Sequence, residues 1–568
     1  MPDFKLCRQR ILSEEYRDFI VSSRGGRIDF QVPEEKLCRQ RTQAGYDVIY
    51  IDQPLADPIG FERFPYSSVP KCYALLDMEA MNQAGITQVQ NYPTLELMGE
   101  NVMIGFVDTG IDYTHPVFRA LDGGTRIAAI WDQTIQDGMT PEGFLYGTEY
   151  TEEEINRALA SEDPFQIVPS MDRNGHGTFI ASVAAGGADE SGKFLGAAPE
   201  ATLAVVKLKE AKQYLKEFYY IAPEAVCYQE NDIMLGVQYL ADLAERKNMP
   251  LILCIALGTS MGGHNGTLPL AVLLEYYSNI INRGIVTGTG NEAAGRRHFS
   301  DRLADRDDRS EVEIRVGEGV GGFVTELWSD IPNILTISLV SPSGEVKQGI
   351  GVQPGGNAVF QFVFDQTEVS VDYRLLVERN NSQLIFFGFG HPSPGIWKVI
   401  VEPVQLAGGE FHLWLPVENF LNGEVFFLRS DPNTTLTAPS AVSSAISCAF
   451  YNGTENSIDI NSGRGYTRTG EIKPDLAAPG VGIIGAVPGG RFQERSGSSA
   501  AAAITAGAAA LMTEWLRYHV GSSGVDTLQL KNLFILGARQ RPGEPYPNRE
   551  WGYGTLDLYH TLDRLRQI

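Results

Sequence analysis

Short, nearly continuous apolar segments alternate with longer amphipathic segments through the middle of the chain. The apolar segments are typical of parallel strands buried on both faces, and they cover residues 102–108, 203–207, 251–257 and 285–288. The amphipathic segments have helical spacing and cover residues 232–247 and 268–283. This alternation predicts an α/β fold with a doubly wound parallel sheet.

The pattern changes over residues 309–430, where short alternating segments are separated by turns such as Ser341-Pro342-Ser343-Gly344. This change predicts an all-β sandwich, jelly-roll-like, inserted into an α/β domain that spans residues 76–308 and 431–568. Within the α/β part, the tyrosine-rich residues 210–230 interrupt the rhythm. We expect them to form a surface excursion.

Residues 1–75 have a mixed pattern and predict a small α+β unit at the N-terminus. Residues 11–20 have helical spacing with Ser13 as a cap, and residues 46–51 alternate as a strand does. The hexapeptide Lys-Leu-Cys-Arg-Gln-Arg occurs at residues 5–10 and again at residues 36–41. The two copies continue differently, so they do not indicate a repeat architecture.

Composition excludes several classes of partner. The 568 residues carry a formal net charge of −24, which argues against nucleic acid and anionic membrane surfaces as partners. No apolar run reaches the length of a membrane span, and the N-terminus lacks the apolar core of a secretion signal, so we expect a cytoplasmic location. We therefore expect the six scattered cysteines to be free, buried thiols. We predict no cofactor and no metal site.

Two candidate catalytic residues follow from local pattern. Asp108 ends an apolar strand, and open α/β sheets place their sites at the carboxyl ends of strands. His176 lies between two glycines at the start of a helix of small residues, where other backbone can approach it closely. The alternatives are a turn-capping aspartate and a hydrogen-bonded core histidine. We interpret His115, in the turn after Asp108, as structural.

Two more candidates lie further along the chain. Asn291 follows glycines at the end of a strand, where its amide can donate to an oxygen, although a turn-forming asparagine would fit as well. Ser499 opens a long alanine-rich helix whose unpaired N–H groups favour negative charge, although a serine N-cap is the simpler explanation. Taken together, the acid, imidazole, amide and hydroxyl form the set that nucleophilic acyl transfer needs.

The short motifs that flank these residues support the same chemistry. In order along the chain, this sequence resembles the subtilisin-like serine proteases (the S8 family) at Asp108-Thr109-Gly110, Asn174-Gly175-His176-Gly177-Thr178, Gly290-Asn291, Lys473-Pro474-Asp475 and Gly497-Ser498-Ser499. The resemblance implies a subtilisin-like fold and a serine endopeptidase of class EC 3.4.21. An α/β-hydrolase is excluded, because no Gly-x-Ser-x-Gly elbow surrounds Ser499.

The resemblance also implies roles for the residues. Ser499 would attack the peptide carbonyl, His176 would transfer the proton, and Asp108 would orient the imidazole. Asn291 would bind the oxyanion together with the Ser499 N–H. The substrate-binding strand would be Ala256, Leu257 and Gly258, implying a protein substrate bound as an extended strand. The chain departs from the family pattern at Phe179, at Ala256 and at Ala500 to Ala503.

The overall plan resembles the Csp germination proteases of spore-forming Clostridia, which activate a cortex-lytic precursor by limited cleavage. By that resemblance, residues 1–75 would be a pro-region that acts as an intramolecular chaperone and is clipped by the enzyme itself near Leu75 and Leu76. The expected location is therefore cytoplasmic or spore-associated. The alternative is a pseudoprotease that binds a partner or germinant through the same cleft.

Overall fold

The fold comes from a computed structural model that describes residues 4–22, 38–43, 45–75, 82–92, 95–189, 194–348, 356–522 and 524–567. Helices and strands are numbered in chain order. The N-terminal elements are α1 (Phe4–Leu12), β1 (Tyr16–Ser22), β2 (Cys38–Arg41), β3 (Tyr46–Asp52), α2 (Gln53–Ala56) and β4 (Cys72–Leu75). They form a small α+β unit around an antiparallel sheet of order β1-β3-β2.

The predicted helix over residues 11–20 is wrong. Helix α1 ends at Leu12, and β1 takes the following residues. All five residues between Tyr16 and Ser22 are buried, including Arg17 and Asp18. Because both faces of this strand are covered, its sequence lacks the alternation of polar and apolar positions that marks a half-exposed strand.

The two copies of the repeated hexapeptide are joined by a disulfide. Cys7 and Cys38 form the bond, and their Cα atoms are 5.5 Å apart. The expectation of six free thiols is therefore wrong for this pair. The other four cysteines are free and buried, namely Cys72, Cys227, Cys254 and Cys448. Composition could not reveal the pair, because only folding places α1 against β2.

The first part of the α/β domain follows. Its elements are α3 (Ile86–Gln90), β5 (Met103–Asp108), β6 (Ile127–Asp132), β7 (Thr148–Thr151), α4 (Glu152–Leu159), α5 (His176–Ala185), β8 (Thr202–Lys207), α6 (Gln213–Phe218), β9 (Tyr228–Gln229), α7 (Glu230–Arg246), β10 (Leu251–Ile255), β11 (Leu257–Gly258), α8 (Pro269–Ser278) and β12 (Arg283–Gly288).

Two antiparallel sheets come next. Their strands are β13 (His298–Arg302), β14 (Ser310–Val316), β15 (Gly322–Asp330), β16 (Ile334–Val340), β17 (Val346–Lys347), β18 (Asn357–Phe362), β19 (Thr367–Arg374), β20 (Ser382–Gly390), β21 (Gly395–Gln405), β22 (Glu410–Trp414) and β23 (Val425–Phe427). The sheets have orders β13-β22-β15-β20-β19-β18 and β17-β16-β21-β14-β23 and share one apolar core. We call residues 298–427 the sandwich; its first strand precedes the predicted boundary at residue 309.

The α/β domain resumes with β24 (Ile446–Asn452), β25 (Ser457–Ile458), β26 (Leu476–Pro479), β27 (Ile483–Val487), β28 (Arg491–Arg495), α9 (Ser498–Glu514), α10 (Thr527–Gly537) and α11 (Leu558–Gln567). Its large sheet has order β25-β24-β12-β10-β5-β8-β6-β7, with β26 also paired to β24. The pairs from β24 to β6, and β26 with β24, are parallel. The predicted parallel α/β fold is confirmed.

Helices cover both faces of this sheet. Met103 and Val107 of β5 face the core that contains α7 and α8, whereas Ile104 and Phe106 face the core that contains α5 and α9. The alternation along one strand therefore supplies two hydrophobic layers, as a doubly wound sheet requires. Within the described part of the chain, no helix is both long enough and apolar enough to cross a membrane.

The predicted surface excursion at residues 210–230 is wrong, because Tyr214, Tyr219 and Tyr228 are buried at a junction. The hydroxyl of Tyr214 accepts from the N–H of Asp18 in β1 at 2.8 Å. The ring of Phe218 stacks on Phe386 of the sandwich at 5.8 Å and meets Phe61 of the N-terminal unit at 5.6 Å. This segment thus joins the N-terminal unit, the α/β domain and the sandwich.

Candidate active site

Three element boundaries meet at one edge of the parallel sheet. Asp108 is the last residue of β5, His176 is the first residue of α5, and Ser499 is the second residue of α9. Parallel strands end at the same edge, and the helices that follow begin there. The fold therefore gathers three side chains that are far apart along the chain.

Their contacts form a continuous chain of polar atoms. Nδ1 of His176 lies 2.9 and 3.0 Å from the two carboxylate oxygens of Asp108, and Nε2 lies 3.2 Å from Oγ of Ser499. The exposed fraction is 3% for His176, 2% for Asp108 and 0% for Ser499. A hydroxyl, an imidazole and a carboxylate are thus within hydrogen-bond reach of one another in a buried site, which is the arrangement that nucleophilic catalysis needs.

Asp172 holds this arrangement together, and our sequence analysis missed it. One carboxylate oxygen accepts from the Thr109 hydroxyl at 2.8 Å and from the N–H of Gly175 at 2.8 Å. The other accepts from the N–H and the hydroxyl of Thr178 at 2.9 and 2.6 Å. The carboxylate therefore ties the end of β5 to the start of α5. Its place four residues before His176 was the available signal.

Glycine at position 177 has a steric cause. A Cβ atom built there would collide with the carbonyl oxygen of Gly110, which follows β5. The start of α5 is held against the end of β5 by a hydrogen bond from the Gly177 N–H to the Thr109 hydroxyl at 2.9 Å. His115 is separate from the site: its Nε2 lies 3.2 Å from the carbonyl oxygen of Arg491, which agrees with a structural role.

Asn291 lies beside the start of α9. Its Oδ1 accepts from the N–H of Ser498 at 3.0 Å, and the N–H of Gly290 donates to the Ser498 hydroxyl at 3.0 Å. Because Oδ1 is engaged, the amide orientation is fixed. The Nδ2 group has no partner among the residues the structure describes, so it is available as a donor beside Ser499.

The neighbouring Glu292 is an unusual carboxyl group. It is 9% exposed, and burial raises its pKa to about 7, although Arg297 at 3.3 Å acts in the opposite direction. Burial disfavours the charged form of a carboxyl group, which explains the sign. The loop that carries Asn291 therefore includes a group that titrates near neutral pH.

A strand of the N-terminal unit lies in the cleft beside the triad. β4 pairs antiparallel with β11, placing Leu75 opposite Leu257 and Ala74 opposite Gly258. On its other edge β4 pairs antiparallel with β9. The carbonyl oxygen of Ala256 is 3.4 Å from Oγ of Ser499, so the β11 wall adjoins the nucleophile. Leu76, the other predicted cleavage residue, lies outside the described residues.

A cavity of about 550 Å³ opens next to the β9 wall. Thr109, Asn174, Leu208 and Tyr228 are among its lining residues. Among the residues that the structure describes, no group of three or more His, Cys, Asp or Glu side chains could hold a metal ion. The absence of a metal site stays a prediction.

The sequence pattern of the peptidase S8, or subtilase, family matches residues 99–297 and 419–554, which together are more than half of the chain. This chain belongs to the subtilase family. The two matched stretches contain all four candidate residues, and they leave most of the sandwich unmatched, from residue 298 to residue 418. Membership supports a serine protease function for this subtilase.

Comparison with individual proteins also finds subtilisin-like proteases. Two Arabidopsis thaliana proteins, subtilisin-like proteases SBT2.4 and SBT2.2, are 32% and 31% identical to this subtilase over 127 and 129 residues, or 19% and 20% of its length. These matches span only 15% of each relative. The solved structure of the Clostridium perfringens CspB protease superposes with a TM-score of 0.76 at 29% identity, covering 86% of this chain and 99% of that one. The predicted resemblance to Csp proteases is confirmed.

Proposed function

We propose that this subtilase is a serine endopeptidase in which Asp108, His176 and Ser499 act as the catalytic triad. The observation that carries the proposal is the unbroken sequence of contacts from the Asp108 carboxylate through His176 to Oγ of Ser499 at 3.2 Å. A serine hydroxyl is a weak nucleophile until a base removes its proton. Here the base is already in contact with it.

The first half-reaction forms an acyl-enzyme. Oγ of Ser499 attacks the peptide carbonyl carbon while Nε2 of His176 takes the hydroxyl proton. The tetrahedral intermediate then breaks the C–N bond, and the leaving amine receives that proton from the imidazolium. In the second half-reaction water attacks the acyl carbon while Nε2 of His176 takes a proton from it. The C–Oγ ester bond then breaks, the imidazolium returns the proton to Oγ of Ser499, and the carboxylic acid product leaves.

Asp108 keeps the imidazole in the working tautomer. Its carboxylate accepts from Nδ1–H, which leaves the Nε2 lone pair facing Ser499, and its negative charge stabilises the imidazolium. The carboxylate also accepts from the N–H of Thr109 at 2.7 Å, so it is held in place before substrate arrives. This preorganisation lowers the cost of reaching the transition state.

The developing oxyanion would be bound by Nδ2 of Asn291 and the backbone N–H of Ser499. The first turn of α9 contributes unpaired N–H groups, so a negative charge is favoured at that position. The hydrogen bond from Ser498 to Oδ1 of Asn291 fixes the amide in the required orientation. Both donors act on charge that is absent from the bound substrate and develops on the way to the tetrahedral intermediate.

A fluorophosphonate probe tests the triad. Wild-type protein should be labelled at residue 499, and Ser499→Ala should abolish the label. Ser496→Ala is the matched control, because Ser496 lies three residues away and is exposed, so its loss should leave labelling unchanged. An unlabelled wild-type protein would instead favour the alternative, a pseudoprotease that binds through the same cleft.

We further propose that residues 1–75 form a pro-region that the enzyme cleaves from itself. The support is the antiparallel pairing of β4 with β11 and β9, which is how an extended substrate would lie. Contacts made by β1 of the N-terminal unit also support a pro-region. The buried Asp18 carboxylate pairs with Lys212 at 2.5 Å and accepts from the Gln229 side-chain amide at 2.7 Å. The cut at Leu75 and Leu76 stays a prediction.

Mass analysis of the purified protein tests self-processing. Wild-type protein should yield two fragments whose boundary falls near residues 75–76, and Ser499→Ala should remain one chain. A wild-type preparation that stays intact while Ser499 is labelled by the probe would overturn self-processing without affecting the triad.

We also propose, from the similarity to CspB, that the biological substrate is a precursor of a spore cortex-lytic enzyme. The test is to incubate the purified protease with such a precursor and determine the new N-terminus by sequencing. One defined cut by wild-type protein and none by Ser499→Ala would support this role. Cleavage of unrelated peptides with no cut in the precursor would contradict it.

A further inference from the structure

Two free thiols lie on either side of the boundary between the N-terminal unit and the α/β domain. Cys72 is the first residue of β4, and Cys227 directly precedes β9. In the antiparallel pairing of these strands Cys72 lies opposite Gln229, so Cys227, two residues before Gln229, is the diagonal neighbour of Cys72 on the same face. Folding therefore makes neighbours of two buried cysteines that belong to different parts of the chain.

The two thiols are in contact. The thiol of Cys72 is hydrogen-bonded to that of Cys227, and this contact together with burial raises the pKa of Cys72 well above the ordinary range of a thiol. The pairing between β4 and β9 is two residue pairs long. Because so short a pairing opens easily, a small movement of β4 brings the sulfur atoms from hydrogen-bond contact to the ~2 Å of a disulfide bond.

The other two free cysteines are not placed to join each other. Cys254 lies in β10 and Cys448 in β24, and β12 separates these strands in the large sheet. Strands two places apart in a sheet are about 10 Å apart, whereas a disulfide spans at most about 7 Å between Cα atoms. They also belong to a different hydrophobic core from Cys72 and Cys227. Of the four free cysteines, all within the described residues, Cys72 and Cys227 are the pair that can join.

We propose that Cys72 and Cys227 form a thiol oxidation site at which a small organic disulfide, of the glutathione type, links the pro-region covalently to the catalytic domain. This inference rests on the proposed function, because the link gains its importance from self-cleavage near Leu75. Cys72 lies on the N-terminal side of that cut, and Cys227 lies on the other side. The Cys7–Cys38 disulfide lies wholly on the N-terminal side, so it cannot hold the two fragments together.

The oxidation proceeds in two exchange steps. When β4 lifts from β9, one cysteine loses its proton and its sulfur attacks the small disulfide, which releases one small thiol and leaves a mixed disulfide on the protein. When β4 returns, the second cysteine loses its proton and attacks the protein-bound sulfur, which forms the Cys72–Cys227 bond and releases the second small thiol. The two small thiols carry away both protons and both electrons. Because both sulfur atoms are buried while β4 is in place, external thiols reach the completed bond slowly.

The covalent link changes how the pro-region leaves the cleft. After self-cleavage, a pro-region held by contacts alone dissociates on dilution, which frees β11 and β9 for substrate. A linked pro-region rebinds within the same molecule, at an effective concentration that dilution does not change. The oxidised protease should therefore stay blocked by β4, and reduction of a single bond should release it.

Gel electrophoresis of the full-length protein tests the link. Wild-type protein is incubated with oxidised glutathione, denatured in SDS with iodoacetamide and run with or without dithiothreitol. We expect the two self-processing fragments to run as one species without dithiothreitol and as two with it, and the number of free thiols to fall from four to two. Cys227→Ala should run as two fragments under both conditions. Cys254→Ala, the matched control at another buried free cysteine, should behave as wild type does.

Activity after dilution provides a second readout. The cleavage rate of a peptide substrate by diluted, reduced wild-type protein should exceed that of the oxidised protein by on the order of 100-fold, the range that linking two binding partners provides. Cys227→Ala should show no difference between the two treatments. Equal rates for oxidised and reduced wild-type protein that carries the bond would overturn the proposed effect on release.

Peptide mapping separates this proposal from the proposed function. A crosslinked Cys72–Cys227 peptide in Ser499→Ala, which lacks the proposed nucleophile, would support the bond independently of proteolysis. Absence of that peptide from both oxidised wild type and oxidised Ser499→Ala would overturn the oxidation site and leave the triad and self-processing intact. A crosslinked wild-type chain that stays uncut would overturn self-processing and the covalent link between fragments with it. Mapping needs no variant at either cysteine, so it decides even if Cys227→Ala does not fold.

Discussion

The two sides of the cleft are built on different principles. On the catalytic side, the working atoms belong to side chains, and a second layer of side chains around Asp172 holds them in place. On the binding side, β11 and β9 present backbone to an extended chain, as their pairing with β4 illustrates. Catalysis therefore depends on residue identity, whereas strand binding depends on backbone position.

This difference decides which substitutions matter. A changed side chain on the catalytic side removes a reacting group or leaves a buried polar group unpaired. A changed side chain on a strand wall leaves the N–H and C=O groups unaffected. The following experiments test this division, from the largest expected effect to the smallest.

Ser499→Ala should reduce kcat by about 10⁶-fold, the size of loss known for the same change in subtilisin. The strand wall is untouched, so affinity for an extended peptide inhibitor should stay within a few-fold. Steady-state kinetics and isothermal titration measure the two quantities. If loss of the hydroxyl weakened peptide binding as strongly as it lowers kcat, the two sides would not be separable.

Asp172→Ala should lower kcat by about 10- to 1,000-fold with a smaller change in KM, because the buried Thr109 and Thr178 groups lose their acceptor. We assign Asp172 as a positioning residue. Asp172→Asn is the control and should recover part of the activity, since its amide oxygen can accept some of the same bonds. Equal activity of the Ala variant and wild type would refute this role.

Glu292→Gln tests the buried carboxyl group in the loop that carries Asn291. With its pKa raised to about 7 from 4.5, the folded protein binds more protons than the unfolded chain between these values, so the free energy of unfolding falls as pH rises through that window. Glu292→Gln removes the titrating group, so the variant does not lose stability in this way as the pH rises. Its Tm should rise relative to wild type between pH 5 and pH 8, corresponding to on the order of 2 kcal/mol. A constant difference in Tm would contradict the buried-carboxyl explanation.

Tyr228→Phe on the β9 wall should change kcat/KM by less than about threefold, because Tyr228 pairs with β4 through its backbone. Its ring, which lines the cavity beside Thr109, is kept in the variant. A tenfold loss would show that the binding side also relies on side-chain chemistry.

The parallel sheet could be predicted because burial on both faces produces uninterrupted apolar runs such as residues 102–108. The same logic failed in β1, where buried Arg17 and Asp18 find partners in Asp57 and Lys212 that lie far along the chain. Residues 210–230 failed likewise, because what covers their tyrosines comes from two other parts of the molecule. Local pattern predicts elements, but it does not reveal distant partners.

The candidate site divides in the same way. The four candidate residues could be identified because each lies in a distinctive short motif of glycines and other small residues. They are Asp108, His176, Asn291 and Ser499. Asp172 lies four residues before His176, but its hydrogen bonds to Thr109 and Thr178 appear only when β5 and α5 are seen side by side.

The position of α9 has a consequence for biosynthesis. All residues of this helix, Ser498 to Glu514, are buried between the sheet and its neighbouring helices. A nascent chain on the ribosome therefore carries the imidazole and the carboxylate of the proposed triad for more than 300 residues of synthesis before Ser499 is added. The proposed triad is complete only after α9 has been synthesised and has packed against the sheet, so translation would delay the onset of proteolysis.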